Sequence, residues 1–329
     1  MAFKTFTRRR LLAVGMMVGM FALSTAGQAA DYPSRAVRFV NPNPAGGSGD
    51  LVARSFAAEL SKNLGQAVFV DNRPGAGSTL GGREGAKAAA DGYTITLTSS
   101  PMFSVVPLVY SKLDFDPIKD FRSIIVLASF ENVLVANPSV PVKNIKELIA
   151  LATEKPGELT YGSSGNGTTT HLSAEAFKQD AGVSIEHIPY SGGAPALSDL
   201  LGGHIDMIFN NIPSALPHIK TGALNAIAVT SSVRSPLLPD VPTVDEAGLK
   251  GFEAVGWFSI SVPAATPQEV VDTLSAASMK AVESPEFIQL MKENGFTVVG
   301  GTPEQMDTMI QNEVKRWEPV VKATGLQID

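Results

Sequence analysis

The chain alternates short runs of β-branched residues with longer segments of helical periodicity, and loops of small residues join them. Strands are predicted over residues 37–40, 67–70 and 93–98, and apolar residues recur with helical spacing over 51–60. The same pattern predicts further strands over 159–162, 185–190, 205–209, 224–230 and 257–262, followed by a mostly helical end. This order is typical of α/β proteins, whose helices cover both faces of a parallel or mixed sheet.

Helix boundaries are marked by their own residues. Gly65 ends the first predicted helix, and the Ala-rich segment 78–90 is predicted to be the second. Asn144 and Glu147 have the spacing of a capping box, which predicts a helix start there. Near the end of the chain, three prolines each lie close to a predicted helix start: Pro267, Pro285 and Pro303.

Composition limits the classes of function. The chain has 329 residues, of which 44% are hydrophobic, enough for two domains with cores of their own. Only 18% are charged and the net charge is −6, so no basic surface is predicted and we expect no nucleic-acid partner. Cysteine is absent from the sequence, which excludes disulfides and thiolate nucleophiles.

A targeting segment precedes the alternating pattern. Three arginines at 8–10 are followed by an apolar run over 11–23 and then by small residues up to Ala29. This order predicts a signal peptide over residues 1–29 and therefore export from a bacterial cytoplasm. The apolar run is shorter than the roughly 20 residues that span a membrane. The arginines also fit a twin-arginine signal, so the sequence leaves the general and twin-arginine routes open.

Three loops share one arrangement, in which a predicted strand leads through small residues into a helix. They cover residues 43–50, 163–170 and 190–195. A helix start presents unpaired N–H groups and the positive end of the helix dipole, and glycine lets a ligand approach the backbone. None of the three contains Arg or Lys, so they predict an anion site built from amides and hydroxyls. Asp50 is either a ligand residue or a first-turn residue favoured by the dipole, and Arg73 is either a structural tie or a ligand clamp.

Common catalytic signatures are missing. Residues 46–50 and 162–165 both lack the Gly-x-Ser-x-Gly spacing of a nucleophile elbow, and neither the Walker pattern nor the dinucleotide fingerprint is present. We therefore predict a protein with no catalytic residues, no metal and no cofactor. One alternative is a secreted α/β hydrolase that uses His171 with a nearby hydroxyl, or an acid pair such as Asp199 and Asp206.

Five motifs together resemble a known family. They are NPNPAGGSGDLVAR at 41–54, DNRPGAG at 71–77, IPYSGGAPA at 188–196, LPDVPT at 238–243 and GWF at 256–258. All five look like the extracytoplasmic receptors of tripartite tricarboxylate transporters, known as the Bug family. The resemblance covers almost the whole chain after the signal segment, with the motifs in the order of the family.

The resemblance implies a two-lobed periplasmic binding protein with two crossover strands, closing on a small organic acid. Residues 30–129 and 256–329 would form lobe 1, and residues 130–255 would form lobe 2. The implied partners are a small organic acid and the membrane permease of a tripartite tricarboxylate transporter, and the implied location is the periplasm. A ligand-sensing module that signals to a membrane kinase is a second alternative, which the sequence cannot separate from transport.

The resemblance also implies which residues meet the ligand. Lobe 1 would contribute, partly through ordered water, Ala45, Gly46, Gly47, Ser48, Asp50, Ser99 and Ser100. Lobe 2 would grip a carboxylate with Ser163, Ser164, Gly167, Thr168, Gly192, Gly193 and Ala194. The cleft would also be lined by His171, Tyr190, Asp206 and Asn210. Asn43 and Asn210 depart from the family pattern, which has an apolar or aromatic residue and frequently an acid there, so the identity of the bound acid stays open.

Overall fold

Ten strands form one mixed sheet in the computed structural model, which describes residues 32–325 and 327. The predicted signal peptide lies outside the described residues. The strands are β1 (Val37–Asn41), β2 (Val68–Asn72), β3 (Thr94–Ser99), β4 (Phe121–Ala136), β5 (Thr160–Ser163), β6 (Glu186–Pro189), β7 (Met207–Asn211), β8 (Asn225–Val229), β9 (Val255–Pro263) and β10 (Phe296–Gly300). Their order is β2-β1-β3-β9-β4-β7-β5-β6, and β8 and β10 both pair with β4. The predicted α/β class with a mixed sheet is confirmed.

Eleven α-helices connect or flank these strands in the part of the chain that the structure describes. They are α1 (Ser48–Leu64), α2 (Thr79–Ala86), α3 (Ser100–Ser104), α4 (Val106–Val109), α5 (Ile145–Glu154), α6 (Thr169–Ala181), α7 (Gly193–Leu201), α8 (Ile212–Lys220), α9 (Gln268–Val282), α10 (Pro285–Glu293) and α11 (Pro303–Thr324). A 3-10 turn at Ala76–Ser78 precedes α2. The predicted helix over 78–90 was too long, because its helical backbone ends at Ala86.

The helix caps follow the sequence signals. Gly65 ends α1 in the left-handed conformation, with φ of 66°, which glycine adopts without steric cost. Asn144 caps α5 by accepting a hydrogen bond from the Glu147 amide at 3.0 Å. Pro285 and Pro303 are the first residues of α10 and α11, where their missing N–H costs nothing.

The sixteen-residue strand β4 joins two groups of strands. The first group contains β1, β2, β3, β9 and β10, and the second contains β5, β6, β7 and β8. Its residues 121–131 pair with β9, and those from Val126 to Phe130 also pair with β10. Its last five residues pair with β7, and residues from Val133 onward also pair with β8. One strand therefore hydrogen-bonds to both groups, with the change of partners falling between Glu131 and Asn132.

The parallel strands place the predicted ligand loops at common edges. In the first group β1 is parallel to both β2 and β3. In the second group β5 is parallel to β6 and β7, with Tyr161 in register with both His187 and Met207. Because parallel strands end on the same edge, the loops after β5 and β6 lie beside the end of β7.

Buried apolar side chains cover both faces of the second group of strands. One cluster contains Tyr161, Phe177 and Phe209, and the other contains Leu200 and Ile208. Each fully buried side chain of this size contributes roughly 1.5–3 kcal/mol to the free energy of unfolding. The loops at the strand ends are therefore attached to a well-packed part of the sheet. Among the described helices, none has the length and apolar character needed to cross a membrane.

Candidate functional site

The start of α7 presents backbone amides that are not used by the fold. Gly192 is the N-cap residue, and no side chain caps the helix. The first N–H groups of an α-helix have no partner inside the helix. Within the described part of the chain, the amides of Gly192, Gly193 and Ala194 donate to no acceptor. This helix start is therefore free to bind an anion, as the sequence predicts for one of its three loops.

Two side chains from neighbouring strand ends reach the same helix start. A methyl group placed on Gly193 would lie 3.3 Å from Ser164 Oγ and 3.7 Å from Asn210 Oδ1. Asn210 is only 3% exposed, and its Nδ2 has no hydrogen-bond partner among the residues that the structure describes. We call Ser164, Gly192, Gly193, Ala194 and Asn210 the donor cluster. It joins an unpaired helix start to a buried, unpaired side-chain donor.

The loop after β5 uses most of its own amides. Ser164 N donates to Thr170 Oγ1 at 2.9 Å, Gly165 N to Ser163 Oγ at 3.2 Å, and Gly167 N to His171 Nδ1 at 3.2 Å. The expectation that this loop exposes its backbone donors is therefore wrong for these three amides.

The same loop is fixed from within by Thr168. Its hydroxyl donates to Gly165 O at 2.7 Å and caps α6 by accepting from His171 N at 3.5 Å. The backbone of Gly167 is left-handed, with φ of 74°, so a side chain there would be strained. The structure thus gives Ser163, Gly167 and Thr168 a role in holding the loop beside the donor cluster.

Three aromatic rings stack beneath this loop. His187 lies between Tyr161 and His171, with ring centroids 4.7 Å and 4.3 Å away. Its Nε2 is 2.7 Å from Ser163 Oγ, and Tyr161 donates to Glu175 Oε1 at 2.5 Å. Burial lowers the pKa of both histidines to about 4, so both rings are neutral at pH 7.

The contact of His187 with Ser163 was not predicted from the sequence. The contact arises from the parallel register of β5 with β6, which sets Tyr161 beside His187. His171, which was predicted to line the cleft, is 3% exposed, and its Nδ1 accepts from Gly167 N. It therefore supports the loop from below.

The first predicted loop is organised around Asp50. Its Oδ2 accepts from Gly46 N and Arg54 Nε, both at 2.9 Å, and its Oδ1 accepts from Asn72 Nδ2 at 2.8 Å. Burial alone would raise the pKa of Asp50, but the hydrogen bonds from Arg54, Gly46 and Asn72 outweigh it and lower the pKa. Of the two roles considered, this contact set favours the structural one, in which Asp50 fixes the loop.

The other residues of this loop remain accessible. Ala45, Gly46 and Gly47 are exposed, and Ser48 is half-buried. Gly47 is the N-cap of α1, and no side chain caps this helix either. The first loop therefore offers a second helix start. Arg73 also had two possible roles. It forms ion pairs with Asp71 and Glu84, which favours the structural role.

Asp50 offers a direct test of loop support. Replacing Asp50 with alanine removes the carboxylate that accepts from Gly46, Arg54 and Asn72, and we expect the free energy of unfolding to fall by about 2 kcal/mol. Urea unfolding of the purified variant measures this change. Asp240→Ala, which removes an exposed carboxylate, is the matched control and should cost clearly less. An Asp50→Ala variant as stable as wild type would contradict the structural role.

The remaining predicted residues are placed differently. Ser99 ends β3 and Ser100 begins α3, where Ser100 Oγ accepts from Trp257 N at 3.4 Å. Tyr190 follows β6, and its hydroxyl donates to Asp199 at 2.8 Å. Asp206 accepts from the amide and hydroxyl of Thr160 at 2.7 Å and 2.9 Å.

Asp206 does not join the donor cluster. It precedes β7 and binds the first residue of β5, whereas Asn210 lies near the other end of β7. Four residue steps along the chain place their two Cα atoms roughly 13 Å apart. Asp206 thus ties together the amino ends of β5 and β7, on the edge of the sheet opposite to the ligand loops.

Elements of the first group of strands approach the loop after β5. A methyl group on Gly167 would lie 3.3 Å from Val105 Cγ1, and one on Gly77 would lie 4.0 Å from Asn166 O. Tyr110 holds the Gly77 segment by donating to Ala76 O at 2.7 Å. The loop after β5, which lies beside the donor cluster, therefore also has neighbours that belong to the first group of strands.

Comparisons with known proteins find relatives over most of the chain. The family model of the tripartite tricarboxylate transporter family receptor, TctC, matches residues 52–326. Protein BugT of Bordetella pertussis is 37% identical over 325 residues, which cover 97% of this chain and 98% of BugT.

Solved structures show the same fold. The structure of R. palustris Rpa4515 with adipate has a TM-score of 0.83 at 37% identity and covers 90% of this chain and 99% of that chain. The periplasmic binding protein BugD has a TM-score of 0.81 at 35% identity, with 90% and 99% covered. The chain belongs to the TctC family of tripartite tricarboxylate transporter receptors, which includes the Bug proteins, and has their two-lobed α/β solute-binding fold.

Proposed function

We propose that the protein is an extracytoplasmic receptor that binds a small organic carboxylate and delivers it to a membrane permease. The observation that carries this proposal is the donor cluster, in which unpaired amides at the start of α7 lie beside Ser164 and beside Asn210, a buried residue whose Nδ2 is unpaired in the described structure. Such neutral donors bind a carboxylate reversibly, since they supply hydrogen bonds without a fixed counter-charge. The adipate in the structure of Rpa4515 supports the same ligand class.

The lobes that close on the ligand are part of the proposal. We assign residues 30–129 and 256–329 to lobe 1 and residues 130–255 to lobe 2. Two features support these bounds: β4 changes partners between Glu131 and Asn132, and β9 begins at Val255. Ligand binding would favour closure if the closed form binds the carboxylate better than the open form does.

Lobe 1 would complete the site with Ala45, Gly46, Gly47, Ser48, Ser99 and Ser100. The uncapped start of α1 and its exposed glycines support this assignment. Since Gly46 N donates to Asp50 and Gly47 N to Pro44 O, its donors would be the Ser48 amide and the hydroxyls, in keeping with a ligand that is partly held through water. Asp50 would act through this loop instead of touching the ligand.

Transport is the proposed use of the captured ligand, and the periplasm is the proposed location. Membership of a transporter-receptor family supports both, together with the predicted signal peptide over residues 1–29. Co-purification from membranes with a permease of the tripartite tricarboxylate type would test the partner. Recovery with a membrane kinase instead would favour the sensory alternative.

A hydrolase is the competing function, because His187 Nε2 lies 2.7 Å from Ser163 Oγ. A serine nucleophile also needs an orienting group on its histidine and access to the substrate. Ser163 is 1% exposed, and His187 is flanked by rings, with no carboxylate hydrogen-bonded to it in the described structure. We therefore propose binding without chemistry; ester turnover that disappears in His171→Ala and His187→Ala would favour the hydrolase.

A panel of carboxylates tests the proposed function. With a ligand at about 100 times its dissociation constant, the free energy of unfolding should rise by about 2.7 kcal/mol. Thermal unfolding of the purified protein with mono-, di- and tricarboxylates measures this as a higher midpoint temperature. Sugars and amines of similar size serve as controls. A panel in which no carboxylate shifts the midpoint would contradict the proposal.

A further inference from the structure

Asn210 is a buried polar residue whose amide the fold leaves unused. It is 3% exposed, and Nδ2 has no acceptor within the described residues. The side-chain amide of the next residue does have an acceptor, since Asn211 Nδ2 donates to Asn132 Oδ1 at 2.9 Å. Successive strand residues face opposite sides of a sheet, so the two side chains lie on opposite faces of β7. Because an unmade hydrogen bond of a buried donor is costly, Asn210 is expected to gain its partner from a ligand.

The groups beside Asn210 carry no charge of their own. A methyl group on Gly193 would lie 3.7 Å from Asn210 Oδ1 and 3.3 Å from Ser164 Oγ, so the nearby groups are a backbone N–H and a hydroxyl. Asp199, further along α7, accepts from Tyr190 Oη at 2.8 Å. Asp206 binds Thr160 at the other end of β7. The donor cluster therefore complements negative charge and contains no carboxylate that would pair with a cation.

We propose that Asn210 determines specificity and restricts the receptor to organic carboxylates that carry no ammonium group next to the bound carboxylate. The proposal rests on the receptor function given above and names the ligand class of that same site. The Asn210 amide donates to a ligand oxygen and supplies no negative charge.

Desolvation explains the discrimination. An ammonium group that enters the cluster loses its hydration and meets the positive end of the α7 dipole. Neutral amides do not replace the carboxylate that such a buried cation needs. A methylene or hydroxyl group at the same position carries no charge and avoids this cost. Amino acids should therefore bind more weakly than the matching acids without nitrogen.

Calorimetry with matched ligand pairs tests the proposal. The probes are adipate with 2-aminoadipate and succinate with aspartate, each pair differing by one ammonium group. For the wild-type protein, the amino member of at least one pair should bind 100-fold or more weakly than its partner. In Asn210→Asp, the plain dicarboxylate should lose at least tenfold in affinity, because two negative charges then face each other. The ratio of the two affinities should also fall at least tenfold.

Two further variants serve as controls. Asn211→Asp makes the same change in net charge on the opposite face of β7 and should leave the ratio unchanged. Asn210→Leu keeps about the same side-chain size and adds no charge. It replaces Asn210→Asp in the affinity measurements if Asn210→Asp does not fold. It should weaken the plain dicarboxylate at least tenfold and the amino acid much less.

The possible outcomes separate the two proposals. Wild-type protein that binds amino acids as tightly as the plain acids would overturn the specificity role and leave the receptor function standing. An unchanged ratio in both Asn210 variants would overturn it as well. If no carboxylate of any kind bound to the wild-type protein, the receptor function would fail and the specificity role with it.

Discussion

Replacing Gly193 with leucine is expected to lower the affinity for the carboxylate at least about 100-fold, which corresponds to about 2.8 kcal/mol. The reason is steric, since the first side-chain carbon would already lie 3.3 Å from Ser164 Oγ and 3.7 Å from Asn210 Oδ1. A leucine side chain would then fill the space in front of the unpaired amides of α7. Calorimetry with the carboxylate found in the panel measures the change.

The Gly193 experiment has a control on the same helix. Ser198 is exposed on α7, so Ser198→Leu adds a similar apolar group away from the donor cluster and should keep the affinity. Thermal unfolding without ligand shows whether Gly193→Leu is folded. A folded Gly193→Leu variant with wild-type affinity would mean that the ligand does not approach the start of α7.

Stability is expected to fall as the pH decreases from about 6.5 to about 4. The folded protein holds His171 and His187 neutral, with the pKa of each lowered to about 4 by burial, whereas in the unfolded chain both titrate near 6.5. Between these values the unfolded state binds more protons, so the free energy of unfolding decreases as protons are added. Below about pH 4 this contribution no longer changes. For the buried His171 it amounts to about 3 kcal/mol across the window.

Variants isolate the histidine contribution from that of the carboxylates, which titrate in an overlapping range. His187→Phe keeps a stacked ring and removes one titrating group, so its stability should depend less steeply on pH between 4 and 6.5. Val233 is exposed and carries no titrating group, so Val233→Phe adds the same ring and should keep the wild-type slope. Urea unfolding at several pH values gives these slopes. Equal slopes for His187→Phe and wild type would contradict the buried, neutral state of His187.

Much of the fold follows from local patterns in the sequence. The strands and helices of each strand–loop–helix unit were predictable, because alternation, helical spacing and glycine caps are encoded within a few neighbouring residues. Strand β4 was not predicted, although it joins the two groups of strands. Its apolar residues do not alternate, since both faces are covered, and its partners β9 and β7 are distant in the sequence. Strand β10 was also missed, within a segment that was predicted as helical.

For the candidate site too, the local sequence predicted some features and missed others. The glycine loops identify helix starts, and this was sufficient to point to Gly192, Gly193 and Ala194. The sequence does not say which of these starts keeps its amides free. In the loop after β5, the side chains of Thr170 and His171 accept hydrogen bonds from backbone amides of the loop. This arrangement depends on the bend at Gly165 and Gly167.

Residues that act across the sheet were harder to identify. The contact of His187 with Ser163 depends on strand register, and the separation of Asp206 from the donor cluster depends on strand direction. Neither is visible without knowing which strands are parallel neighbours. Residue types in a motif therefore pointed to the candidate site, while the contacts of its members required the tertiary structure.

A crystal structure of the protein saturated with a carboxylate tests the proposed site most directly. We predict that the ligand carboxylate lies within hydrogen-bond distance, about 2.7–3.2 Å, of the Gly193 or Ala194 amide and of Asn210 Nδ2. A carboxylate held instead by an arginine or lysine side chain, with the start of α7 still unpaired, would contradict it.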